Sequence, residues 1–135
     1  MEEYQKLEKT QTGIASEFLV AGELARRRFN VTMTFGNTKA IDLLVEKDNK
    51  LIPIQVKGIQ RKKSVGWNIS KSKLQEKVIY IFVNFHADKL EISPEYFIMT
   101  SSELDEHLKE VESGRDYIDY NYVQKLNFKD KWNKI

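Results

Sequence analysis

At 135 residues the chain has room for one domain around a single core, taken here as residues 1–135. With 41% hydrophobic and 31% charged residues the composition is that of a soluble globular protein. No apolar run nears the roughly 20 residues of a membrane-spanning helix, and the charged opening MEEYQKLEK is no signal peptide, so a cytoplasmic location is expected. The lack of cysteine excludes disulfides and thiolate zinc sites, and His86 and His107 are too few for an imidazole-rich centre. Any bound metal would therefore be held by oxygen, which favours Mg²⁺ or Mn²⁺.

The net charge of +2 conceals a division along the chain. Residues 1–90 carry 16 Lys and Arg against 10 Asp and Glu, whereas residues 91–135 carry 6 against 10. The positive excess concentrates between Ile52 and Lys77, where seven bases face only Glu76. Such a run is ordinarily a solvated surface; beside a cleft it becomes a phosphate-binding one.

The segment TGIASEFLVAGELARRRF predicts a helix from Thr12 to Phe29, with the Thr12 hydroxyl capping a first-turn N–H. Ile14, Phe18, Ala21 and Ala25 recur at helical spacing and form its apolar stripe. Val31, Met33 and Phe35 alternate in a first strand, after which Gly36-Asn37 turns the chain. AIDLLVE (40–46) and LIPIQVKG (51–58) are the two strands of a hairpin closed by the polar stretch 47–50. Pro53 cannot donate to a ladder, which puts it at an edge or at the start of regular pairing. A basic connection with Trp67 and a short helix near 71–77 leads to VIYIFVNF (78–85), apolar at nearly every position and so a central strand buried on both faces. YFIMT (96–100) is a fifth strand, and SSELDEHLKEVESG a Ser-capped helix stopped by Gly114. The tail, rich in tyrosine and lysine, shows no period. The order α-β-β-β-(α)-β-β-α predicts an α/β (α+β) fold, a mixed sheet of about five strands flanked by helices.

Four polar residues stand out against this framework. On a helical wheel Glu17 falls on the flank of the Ile14–Phe18–Ala21 stripe, where a carboxylate is costly to desolvate unless a cation or donors meet it. In the hairpin, Asp42 opposes the apolar side formed by Ile41, Leu43 and Val45, while Gln55 and Lys57 alternate with Ile54 and Val56. If the two apolar sides share one face, Asp42, Gln55 and Lys57 project together.

The run GIASEFLVAGELARRRFNV, then AIDLLVE, then LIPIQVKG resembles the PD-(D/E)XK (restriction-endonuclease-like) nuclease superfamily, and more closely its small prokaryotic endonuclease-like domains. The resemblance is carried by a helix bearing Glu17 and a hairpin bearing Asp42 and then Gln55-Val56-Lys57, with aliphatic residues around each polar one. It covers residues 13–58 and extends to about 100 through the order of elements. Gln55 departs from the usual Asp or Glu; its amide oxygen can ligate a hard cation but brings no charge.

The resemblance implies a metal-dependent endonuclease that hydrolyses phosphodiester bonds of DNA. Asp42 would be the central ligand of a Mg²⁺ or Mn²⁺ ion, joined by Gln55, the Val56 backbone carbonyl and Glu17. Lys57 would act as a fixed cation on the reacting phosphate. Arg61, Lys62, Lys63, Lys71 and Lys73 would engage the DNA backbone, and Trp67 would stack on a base or pack. Two alternatives stand beside this reading: a catalytically weak or inactive nucleic-acid-binding module on the same fold, and an interaction protein using the acidic 102–119 region and tyrosines 117, 120 and 122. Cutting both strands of a duplex would call for two copies, so a homodimer is an expectation as well.

Overall fold

The computed structural model describes residues 4–34, 41–61, 66–110 and 116–135. Helix α1 (Lys9–Arg26) precedes strands β1 (Asn30–Met33), β2 (Leu43–Lys47), β3 (Lys50–Ile59) and β4 (Gly66–Asn68). A 3₁₀ turn at Lys71–Lys73 leads to β5 (Ile79–Asn84), β6 (Glu95–Thr100) and α2 (Ser101–His107). The chain ends with β7 (Lys109–Glu110), β8 (Asp116–Asp119), α3 (Tyr120–Gln124) and a 3₁₀ turn at Trp132–Lys134. The principal sheet runs β1-β2-β3-β5-β6, with β3 and β5 parallel and every other neighbour antiparallel. A small antiparallel sheet, β4-β8-β7, lies beside it. The architecture is thus α+β, a five-stranded mixed sheet with helices on its flanks. Among the described residues no helix is long and apolar enough to cross a membrane.

Alternation along the central strands generates two cores. Ile54 and Val56 of β3, Ile81 and Val83 of β5 and Ile98 of β6 pack on one face against Val20 and Leu24 of α1. From the other face Tyr80, Phe82, Phe97 and Met99 pack against Trp67, Ile118, Tyr120 and Val123 of the small sheet and α3. This explains the continuous apolar run of β5: both of its faces are covered. The β2–β3 hairpin turns through Asp48 (φ 52°) and Asn49 (φ 63°), a two-residue loop of the kind whose twist matches the strands. Pro53 directly precedes the first β3–β5 pair, Ile54–Ile79, so its missing N–H costs the parallel ladder nothing.

Several boundaries differ from those expected. Helix α1 starts one turn earlier than Thr12, because Gln11 Oε1 accepts the Glu8 N–H at 3.0 Å; the Thr12 hydroxyl instead turns back onto the Glu8 carbonyl. The apolar stripe is not the buried face: Ile14 is 50% and Phe18 56% exposed, while Ser16, Val20 and Leu24 are buried. The physical reason is a close approach that periodicity does not register. A Cβ on Gly58 of β3 would lie 1.7 Å from Ser16 Oγ, so α1 is seated on the strand through its smallest contact point.

Helix α2 is capped by the Thr100 hydroxyl, with Glu103 reaching back to the Thr100 N–H, and ends at His107. The expected stop at Gly114 and the turn at Gly36-Asn37 lie outside the described residues. The short helix near 71–77 is only the 3₁₀ turn, and the tail contains β8 and α3. Tyr120, offered above as part of a partner surface, is 2% exposed and belongs to the second core.

Gly58→Ala is expected to cost on the order of 2–3 kcal/mol, because the new methyl must displace α1 or Ser16. In urea unfolding, the double variant Gly58→Ala/Ser16→Gly should recover much of that loss. Equal destabilisation with and without the Ser16 change would remove Gly58 as the seat of the helix.

Candidate functional site

Strands β2 and β3 part at Asp42. Their ladder ends at the Leu43–Ile54 pair, and the Asp42 N–H still donates to the Ile54 carbonyl at 2.9 Å. The next β3 donor on that side, the Val56 N–H, goes not to a backbone carbonyl but to Asp42 Oδ2 at 2.7 Å. Thr34 steadies the departing chain, its N–H donating to the Asp42 carbonyl at 3.0 Å and its hydroxyl to the Ile41 carbonyl at 2.5 Å. The carboxylate is therefore held along the edge of β3. Backbone groups alternate along a strand: the Ile54 carbonyl and Val56 N–H face the β2 side, whereas the Ile59 carbonyl accepts from Phe85 on the β5 side. The Val56 carbonyl is directed to the same edge as Asp42.

Glu17 reaches this edge from α1. Its neighbour Ser16 is the residue that seats the helix on Gly58, which fixes where Glu17 lies along the strand. Burial, and then a hydrogen bond to Asp42 and the charge of that carboxylate, push Glu17 from its ordinary value of 4.5 up to about 7. Two carboxyl groups this close do not both ionise freely, so Glu17 keeps a proton near neutrality. Gln55 and Lys57, on either side of Val56, are half-buried and alternate with the buried Ile54 and Val56. Among the described residues no group of three or more His, Asp or Glu side chains gathers as a metal centre. The acidic part of the site is the Glu17–Asp42 pair.

The basic residues separate. Arg61 lies over the Tyr4 ring, 4.9 Å from its centre, and Lys71 reaches Asp105 of α2 at 3.9 Å. Lys73 is exposed, and Lys62 and Lys63 lie outside the described residues. Trp67 is 1% exposed: its ring packs among Phe82, Phe97 and Tyr120, and its Nε1 donates to the Val83 carbonyl at 3.0 Å. It packs rather than offering a face to a base.

Three residues that the sequence did not single out belong to this region. Gln60 is 4% exposed, and its Oε1 accepts from the Tyr4 hydroxyl (2.6 Å) and the Leu7 N–H (2.7 Å). Its Nε2 donates to the Leu7 carbonyl at 3.2 Å and the Thr12 hydroxyl at 3.3 Å. This latch pins the segment before α1 to the end of β3. There Lys6 and Lys9 join Lys57 around a cleft of about 900 Å³. A lone amide after a strand, a lysine before a helix and another at its start carry no sequence signal; only their convergence does.

In backbone geometry the chain is similar to a bacterial homing endonuclease, I-Ssp6803I. The match has a TM-score of 0.55 at 10% sequence identity and covers 72% of this chain and 68% of that one. No protein-family model and no curated protein matches the chain. The fold is endonuclease-like.

The raised Glu17 carboxyl has a consequence for stability. Its ionised form is the disfavoured one in the folded state, so it costs nothing below about pH 4.5. The penalty then grows as pH climbs toward 7 and is constant above. Glu17→Gln should therefore stabilise the protein at pH 8, on the order of 1–2 kcal/mol, and leave it nearly unchanged at pH 4.5. Thermal unfolding at the two pH values checks this; equal shifts at both would mean that burial and the Asp42 contact do not hold Glu17 protonated.

Proposed function

We propose that the chain is a Mg²⁺- or Mn²⁺-dependent nuclease hydrolysing phosphodiester bonds of DNA, a Q-X-K variant of the PD-(D/E)XK superfamily. The observation that carries this reading is Asp42 held on the β3 edge by the Val56 N–H at 2.7 Å with Glu17 beside it, where burial and the neighbouring carboxylate push Glu17 up to about 7. A cation between them would relieve the repulsion. The donors at hand, two carboxylates, the Gln55 amide oxygen and the Val56 carbonyl, are hard oxygen ligands and fit an ion of that class. Such an ion, when bound, supplies charge neutralisation at the phosphate and an activated water. The endonuclease-like fold supports DNA as the substrate.

The chain's own residues then divide the work. Asp42 is pre-positioned by the Val56 N–H, so little reorganisation is needed for it to act as a ligand. Glu17 would have to lose its proton to serve as a second anionic ligand, so metal affinity should rise with pH through about 7. Lys57, two residues beyond Gln55 on the same side of β3, supplies a fixed cation to the charge that builds on the phosphate.

The restriction to two carboxylates among the described residues favours a second reading, a nucleic-acid-binding module without catalysis. Plasmid nicking in Mg²⁺, Mn²⁺ or EDTA separates the two. Metal-dependent nicking by the wild type, reduced at least about 100-fold in Asp42→Ala and in Lys57→Ala, is the expected result. Nicking unaffected by both substitutions would remove this site from the mechanism; DNA binding with no nicking in any metal selects the second reading.

A further inference from the structure

The cleft beside the carboxylate pair has an unusual charge balance. Lys6 just before α1, Lys9 at its start and Lys57 from β3 line it, and among the described residues no acidic side chain does. Among the described residues none of the three lysines has an ion-pair partner. Gathering three like charges on one concavity is unfavourable unless an anion enters. The walls are also fixed. Gln60 latches the lysine-bearing segment through four hydrogen bonds. Opposite it, Gly66 of β4 lies so close to β8 that an added Cβ would meet the Ile118 carbonyl oxygen at 2.1 Å.

The position of the cleft is as informative as its charge. Lys57 lines it, whereas Glu17 and Asp42 do not. Lys57 thus stands at the junction between the carboxylate pair and the cleft, which follows β3 through Gly58 and Gln60 after β2 has left it. A phosphate at the carboxylate pair would have its chain neighbours in this groove. With about 900 Å³ between two pinned walls, the groove has the size of a pocket for a small molecule or a few nucleotides. The buried Trp67 presents no stacking face, so the contacts available are to phosphates rather than to bases.

We infer that this cleft is a subsite for the single-stranded segment flanking the cleaved bond, with Lys6 and Lys9 clamping its phosphates. This rests on the reading of the adjacent carboxylates as a nuclease site. Substrates with an unpaired flank are then preferred to blunt duplexes, without sequence preference in the flank.

Fluorescence anisotropy in EDTA, with a labelled oligonucleotide as a single strand or annealed into a blunt duplex, tests the clamp independently of cleavage. Lys6 and Lys9 are both exposed, so Lys6→Ala/Lys9→Ala should leave the melting temperature unchanged. The double variant is expected to bind the single strand about 10-fold more weakly than wild type at moderate salt. It should show a shallower salt dependence, by roughly 0.7 in slope per lost contact, and little change on the duplex. Retained weakening of the single strand alongside a failed nicking assay would keep the clamp and reject the nuclease reading. Unchanged single-strand affinity, or an equal loss on both substrates, would overturn the proposal.

Discussion

A single hydrogen bond, from the Val56 N–H to Asp42 Oδ2, marks the place on which the rest of the site depends. A strand that loses its partner ordinarily leaves backbone donors exposed, and exposed edges invite non-native pairing. Here the departing strand leaves a carboxylate behind as the acceptor, so the ladder can stop without an orphaned donor at that step. Stopping it opens the β3 edge beyond Ile54. Along that edge lie the carboxylate pair, the Val56 carbonyl and, farther on, the lysine-lined cleft. The bond that closes the sheet is also the one that aims the acid.

Two contacts of small or neutral residues set the other components against this edge. Ser16 on Gly58 brings α1 close enough for Glu17 to meet Asp42, at the expense of leaving Ile14 and Phe18 in solvent. Gln60 carries no charge and lies away from the carboxylates, yet its latch determines where Lys6 and Lys9 stand. Neither contact is a reacting group. Both convert sequence positions far apart, from residue 6 to residue 60, into one surface.

Behind the site, the sheet is stiffened on both sides. The α1 face and the small-sheet face each cover β5, so the strand that supports β3 has no exposed side to flex toward water. Trp67 and Tyr120, which look like recognition residues in the sequence, are consumed by that second core. Glu95 shows a similar use of polar groups at the far end of the sheet. Burial alone would raise its carboxyl, but hydrogen bonds from Tyr120 and His86 and the charge of Lys129 hold it below the ordinary range. Paired in this way, a buried acid is stabilising; Glu17, with another carboxylate as its partner, is not.

The sequence by itself determined the α+β class, the five strands of the main sheet in chain order, and the hairpin that carries Asp42 and Gln55-Val56-Lys57. It could do so because a period of two, a two-residue polar turn and an apolar run are all local signals. It also marked Glu17 as a carboxylate at the margin of the helix's buried face. Glu17 keeps this position although the buried face of α1 is that of Ser16, Val20 and Leu24, since it borders both Leu24 and the exposed stripe. Only the tertiary structure decided which face of α1 is buried, where β2 leaves β3, that Trp67 is core, and that Lys6 and Lys9 join Lys57. Those outcomes depend on a close approach at Gly58, an edge hydrogen bond and a buried amide. Each is made between residues at least 14 positions apart, which no local pattern records.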